Sequence, residues 1–63
     1  MQNLSKSQQI SWLKSFIGEW NLAEEDNDIN RLSDLTIELS NFCEDNNLQE
    51  LSADELLHEL INL

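Results

Sequence analysis

The chain has no proline, no tyrosine and one glycine, Gly18. Proline and glycine are the residues that interrupt helices and shape tight turns, so little here breaks a helix and little supports a string of short strands. The hydrophobic residues recur at helical and not alternating spacing, which predicts an all-α fold. One cysteine, Cys43, rules out an internal disulfide framework. No apolar run approaches the roughly 20 residues that cross a bilayer, so a spanning helix is excluded and a soluble chain with no membrane partner is expected. Met1-Gln2-Asn3-Leu4-Ser5 has neither the charged segment nor the apolar segment of a secretory leader. Together with the unpaired cysteine, this predicts a reducing, cytoplasmic setting.

Basic residues are scarce: three lysines and arginines stand against thirteen acids, for a formal net charge of -10. The imbalance is uneven. Residues 1–18 carry Lys6 and Lys14 and no acid, whereas residues 19–63 carry every acid and only Arg31. A field of this sign repels phosphates and anionic headgroups, so direct binding of nucleic acid or membrane is not expected, and a protein partner with a basic surface is.

Sixty-three residues make a single domain, 1–63, that buries only about 60% of the surface its unfolded chain exposes. Without disulfides or a metal, a domain this small is often stabilised by oligomerisation, which makes a homodimer an expectation. No internal repeat or low-complexity stretch divides it, apart from a mild excess of asparagine.

The periodicity predicts a small three-helix bundle with helices over about 5–20, 28–44 and 53–62. Ser5 followed by Gln8 has capping-box spacing. Ile10, Leu13, Phe16, Ile17 and Trp20 then fall within an arc of about 120°, with Trp12 at its margin, placed either to lap over the core or to face a neighbour. Gly18 either ends this helix or weakens it, and Trp20 continuing the phase favours the second. Residues 21–28 hold few apolar anchors and read as a connection leading to an N-cap at Asn27 or Asp28. On the second helix Ile29, Leu32, Leu35, Thr36, Leu39, Phe42 and Cys43 share the apolar face. Ile37 breaks the pattern, projecting about 80° from Ile29 into the polar side. Asp45-Asn46-Asn47 stops that helix. The third has the clearest signature: Ser52 with Glu55 three residues on, and Leu51 and Leu56 placed as a hydrophobic staple. Its apolar residues Ala53, Leu56, Leu57, Leu60, Ile61 and Leu63 spread over about 160°, wide enough to pack between two neighbours or to touch another chain.

Catalytic and metal-binding patterns fail on inspection. Asp26-Asn27-Asp28-Ile29-Asn30 starts like a calcium loop, but Arg31 stands where glycine is needed and Ile37 where a bidentate glutamate is needed. Glu55 and His58 have the Glu-x-x-His spacing of carboxylate-bridged metal bundles, yet both face away from the leucines. Cys43 lies on an apolar stripe and His58 on a polar one, so they do not form a nucleophile and base. With one histidine and no glycine-rich phosphate loop, the reading is a non-enzyme without metal or cofactor.

What remains is a binding surface. Asp34, Glu38 and Asp45 line one face of the second helix with Asn41, and Ile37 stands among them. Asp34 and Glu38 are like charges one turn apart with no lysine to compensate, a mildly destabilising choice that solubility alone does not require. Trp12, Asp34, Ile37, Glu38, Asn41 and Asp45 are the candidate partner-binding residues. The expected function is a small acidic protein-protein interaction module, regulatory or accessory, that binds a partner or itself. One alternative is a nucleic-acid mimic that inhibits a DNA- or RNA-binding protein, since a step of one helical turn, about 6 Å, approaches the spacing of phosphates along a strand. A second is a structural subunit of a larger assembly. Size and class also suit the accessory regulators of mobile genetic elements.

Overall fold

A computed structural model describes residues 4–62 and places them in three helices: α1 over Lys6–Glu25, α2 over Ile29–Asp45 and α3 over Ala53–Ile61. No strand occurs among the described residues, and the chain is a small all-α bundle. Two of its three helix starts follow the serines read from sequence. Ser5 accepts the Gln8 N–H while the Gln8 side chain accepts the Ser5 N–H, which completes a capping box. At α3 the Ser52 Oγ accepts the Glu55 N–H at 3.3 Å. Here the Glu55 carboxylate takes its bond from the Ser52 hydroxyl.

The expected end of α1 near residue 20 was too early, because the helix runs through Glu25. Its apolar stripe continues in Ala23, buried two turns beyond Phe16. Alanine carries the phase with so small a side chain that Leu22, Glu24 and Glu25, all exposed, dominate the segment's appearance. Gly18 lies in the interior of α1 and ends nothing.

With almost no glycine, the chain closes its helices with asparagine. Asn27 and Asn47 adopt φ of 53° and 57°, the left-handed region that asparagine tolerates better than most residues. At each, the last turn is satisfied by two reverse bonds. Asp28 donates to Ala23 and Asn27 to Glu24 after α1; Leu48 donates to Cys43 and Asn47 to Glu44 after α2. Asp28 then serves a second purpose as the N-cap of α2, accepting the Arg31 N–H at 3.1 Å. The calcium-like run is therefore a helix-to-helix turn in which one Asp28 carboxylate oxygen caps α2.

Leu13, Phe16 and Ala23 of α1, Leu35, Phe42 and Cys43 of α2, and Ala53, Leu56 and Leu60 of α3 form one core. Helices α2 and α3 each pack on α1, which is the central element. Trp20, Leu32, Leu39 and Leu51 are half-buried against the core. Three residues assigned to apolar faces are exposed. Ile29, at 73%, is the first residue of α2, where α1 has already turned away into the loop. Thr36 turns its hydroxyl back to donate to the Leu32 carbonyl at 2.9 Å. Ile61 is the last residue of α3, 57% exposed, so the wide arc of that helix is only partly enclosed. Leu63, the last member of that arc, lies outside the described residues.

Candidate interaction surface

Helices α1 and α2 run antiparallel, because the start of the chain meets the end of α2 and the end of α1 meets its start. At one end the Asn46 Oδ1 accepts the Leu4 backbone N–H at 2.7 Å and lies 3.4 Å from the Gln9 amide, which also donates to the Leu4 carbonyl. The Asn46 amide donates to the Phe42 carbonyl at 2.9 Å. Gln9 and Asn46 are both buried, and among the described residues no buried side-chain polar atom lacks a partner. At the other end, Arg31 of α2 forms an ion pair with Glu19 of α1, and its second terminal nitrogen stands 3.8 Å from Glu38. Sequence reading left Asp34 and Glu38 uncompensated. Arg31 corrects that for Glu38, although pairs this exposed contribute only about 0–1 kcal/mol.

Between these two ends lies an aromatic stack. Trp12 is nearly parallel to Phe42, with centroids 4.0 Å apart and planes at 6°, and it also stacks on Phe16 at 5.3 Å and 15°. Phe16 in turn stacks on Trp20 at 6.0 Å. Trp12 thus laps over the core and is half-buried, and only its outer part can meet a partner.

An open groove of about 340 Å³ runs alongside the stack. Leu4 and Trp12 form one side, Glu38, Asn41 and Asp45 of α2 form the other, and the buried Phe42 and Asn46 lie at its base. It gathers four of the six residues singled out from sequence. Asp34 and Ile37 do not line it; both are exposed on the adjoining stripe of α2, Ile37 at 60%. Leu4 and Asn46 were missed because their roles depend on a contact across the chain that no local pattern signals. A second groove, about 300 Å³, opens between α2 and α3 over Phe16, Ile17, Trp20 and Leu39. Sequence reading assigned these side chains to the core without foreseeing an open seam above them.

Cys43 and His58 have different surroundings. Cys43 is 1% exposed, and burial pushes its thiol pKa up; a backbone bond at Leu51 opposes this and the Glu50 carboxylate adds to it. A thiol held protonated is a poor nucleophile. His58 is exposed beside Asn62, whose amide donates to the His58 carbonyl at 2.8 Å. Among the described residues no three histidine, cysteine or acidic side chains converge as a metal site would require. No helix among them is long and apolar enough to cross a membrane. Comparison of the chain with protein-family models, with curated proteins and with solved structures finds no match.

Proposed function

We propose that this chain is a small acidic interaction module that binds a basic protein surface through the outer face of α2. The observation that carries this reading is Ile37, 60% exposed in the middle of a helix and flanked by the exposed Asp34, Glu38, Asn41 and Asp45. The core closes without any of the five. Leu22, Ile29 and Ile61 are exposed too, but each lies in the first or last turn of its helix, where packing naturally thins. An apolar anchor within a carboxylate field suits recognition: the anchor supplies buried area, and the charges speed encounter and reject acidic competitors.

The test compares two variants of equal net charge. Asp34, Glu38 and Asp45 are changed together to lysine in one; Glu24, Glu25 and Glu59 in the other. A basic protein captured at low salt and then purified should lose its affinity for the first variant and keep most of it for the second. Equal weakening by both would reduce the interaction to bulk charge and defeat the proposal. The nucleic-acid-mimic reading is narrower, requiring the α2 carboxylates to occupy a phosphate path, and Arg31 beside Glu38 puts positive charge into that row. Release of DNA or RNA from the captured partner on adding this chain would favour it. Helicity that disappears on dilution and returns with the partner would instead favour a subunit of a larger assembly.

A further inference from the structure

Resting on that reading, we infer that the groove between Trp12 and α2 seats a single arginine side chain of the partner. The groove is open to solvent, as a side chain reaching in from a second surface requires. Its lining is divided in a way that matches one residue type. Leu4, Trp12 and Phe42 present apolar and aromatic surface; Glu38, Asn41 and Asp45 present oxygen acceptors on the opposite side. An arginine has a three-carbon stem for the first and five N–H donors in a rigid plane for the second. Lysine has the stem but a compact, strongly hydrated charge that loses more on lying against an indole.

The acceptors are suitably spaced. Glu38 and Asp45 are two helical turns apart, about 10 Å along the axis, with Asn41 between them. A guanidinium opposite Asn41 is within reach of both carboxylates, which can swing toward it from either side. Glu38 retains the capacity, because Arg31 approaches it only to 3.8 Å, beyond hydrogen-bond distance, while pairing with Glu19. Arg31 also shows within this molecule that a guanidinium is accommodated at the α1–α2 boundary. The base is held in advance: Asn46 is tied to Leu4, Gln9 and Phe42, and Trp12 is stacked on both phenylalanines. A site fixed before binding loses little entropy when it is filled. The groove between α2 and α3 has apolar surface but a single carboxylate, Asp54, with no second acid in its lining, and so lacks the paired acceptors that a guanidinium would bridge.

The two tryptophans provide the test, since Trp12 borders this groove and Trp20 the other. N-acetyl-arginine amide is titrated into ¹⁵N-labelled protein, with N-acetyl-lysine amide and the neutral N-acetyl-citrulline amide in parallel. The Trp12 indole N–H should shift saturably with arginine, at least threefold more tightly than with lysine and tenfold more tightly than with citrulline, while the Trp20 indole stays in place. Changing Glu38→Gln with Asp45→Asn should weaken arginine binding at least fivefold with unchanged helicity, and Glu24→Gln with Glu25→Gln should not. No saturable shift, tryptophans that move together, lysine equal to arginine, or a Glu38/Asp45 variant that binds as wild type would each overturn the assignment. The two readings fail separately: if partner binding is lost with the α2 triple lysine variant but arginine binding ignores Glu38→Gln with Asp45→Asn, the face stands and the groove assignment falls, whereas equal weakening by both triple lysine variants defeats the α2 face itself.

Discussion

The side-chain oxygen of Asn46, at the C-cap of α2, accepts the backbone N–H of Leu4 at 2.7 Å, across 42 residues of sequence. The same side chain donates to the Phe42 carbonyl, so one buried amide fixes the segment before α1 against the end of α2.

Replacing Asn46 by alanine leaves the half-buried Leu4 N–H without its partner, whereas the Phe42 carbonyl still accepts the backbone N–H of residue 46 at 3.1 Å. Orphaning buried polar groups costs about 1–3 kcal/mol. A domain of this size has roughly 3–9 kcal/mol in total, at 0.05–0.15 kcal/mol per residue. Urea unfolding of Asn46→Ala should therefore show a clearly lower midpoint with an unchanged slope. A midpoint equal to that of wild type would mean that water replaces the amide without loss.

Asn47, one residue on, tests a backbone effect free of the side-chain clasp. At φ 57° it is in the region where a β-carbon costs roughly 1–2 kcal/mol, and glycine avoids that cost. Asn47→Ala should lose about 1 kcal/mol by thermal or urea unfolding, whereas Asn47→Gly should match or slightly exceed wild type. Equal losses for both would point to the asparagine side chain instead of the left-handed conformation.

Gly18 reverses the sign. It is helical, exposed and without positive φ, and an added β-carbon there meets nothing within 4 Å. Gly18→Ala should stabilise by about 0.5–1 kcal/mol, a rise in Tm of several degrees for so small a domain.

These cases show what the sequence makes legible. Helix count, the Ser5 and Ser52 caps, and the core positions of Leu13, Phe16, Leu35, Phe42 and Leu56 follow from a 3.6-residue period and local hydrogen bonding, which neighbours along the chain largely decide. The end of α1 does not, because alanine at position 23 carries the apolar phase with almost no hydrophobic signal. Ile29 and Ile61 show the converse: a residue in phase with the core is left exposed at the first or last position of its helix, where packing thins. Of the candidate site, the α2 row was legible as an excess of acid around Ile37. The Leu4–Asn46 clasp, the Arg31 bridge and the Trp12–Phe42 stack were not, since each joins α2 to residues at least 12 positions away.

Cys43 gives a pH dependence. Burial raises its pKa in the folded state, so as pH climbs past the unfolded value, near 8.5, the unfolded thiol ionises first and binds fewer protons than the folded one. Stability is therefore full below about pH 8.5 and falls between there and the folded pKa, by at most about 1.4 kcal/mol per pH unit. Urea midpoints at pH 7.5 and 9.5 should show the decline in wild type and lose it in Cys43→Ala, which is less stable at both. The thiol should also resist an aromatic disulfide reagent in buffer and react promptly in urea.

Ile37 separates binding from folding. The core makes no use of it, so Ile37→Asp should keep its helicity and remain within about 0.5 kcal/mol of wild type, the usual range for a surface position. A third carboxylate beside Asp34 and Glu38 should add only a few tenths of a kcal/mol of repulsion to that. If Ile37 anchors the partner, affinity should drop at least tenfold, and the loss should persist at high salt, because what is removed is apolar contact area that screening does not affect. Sedimentation of both proteins over a concentration series then identifies the occupant of the face. A wild-type mass of two chains that Ile37→Asp reduces to one would assign the anchor to a second copy. A mass unchanged by the substitution, with the basic partner no longer bound, assigns it to that partner, and two faces carrying the same carboxylates would repel one another in the first arrangement and not in the second.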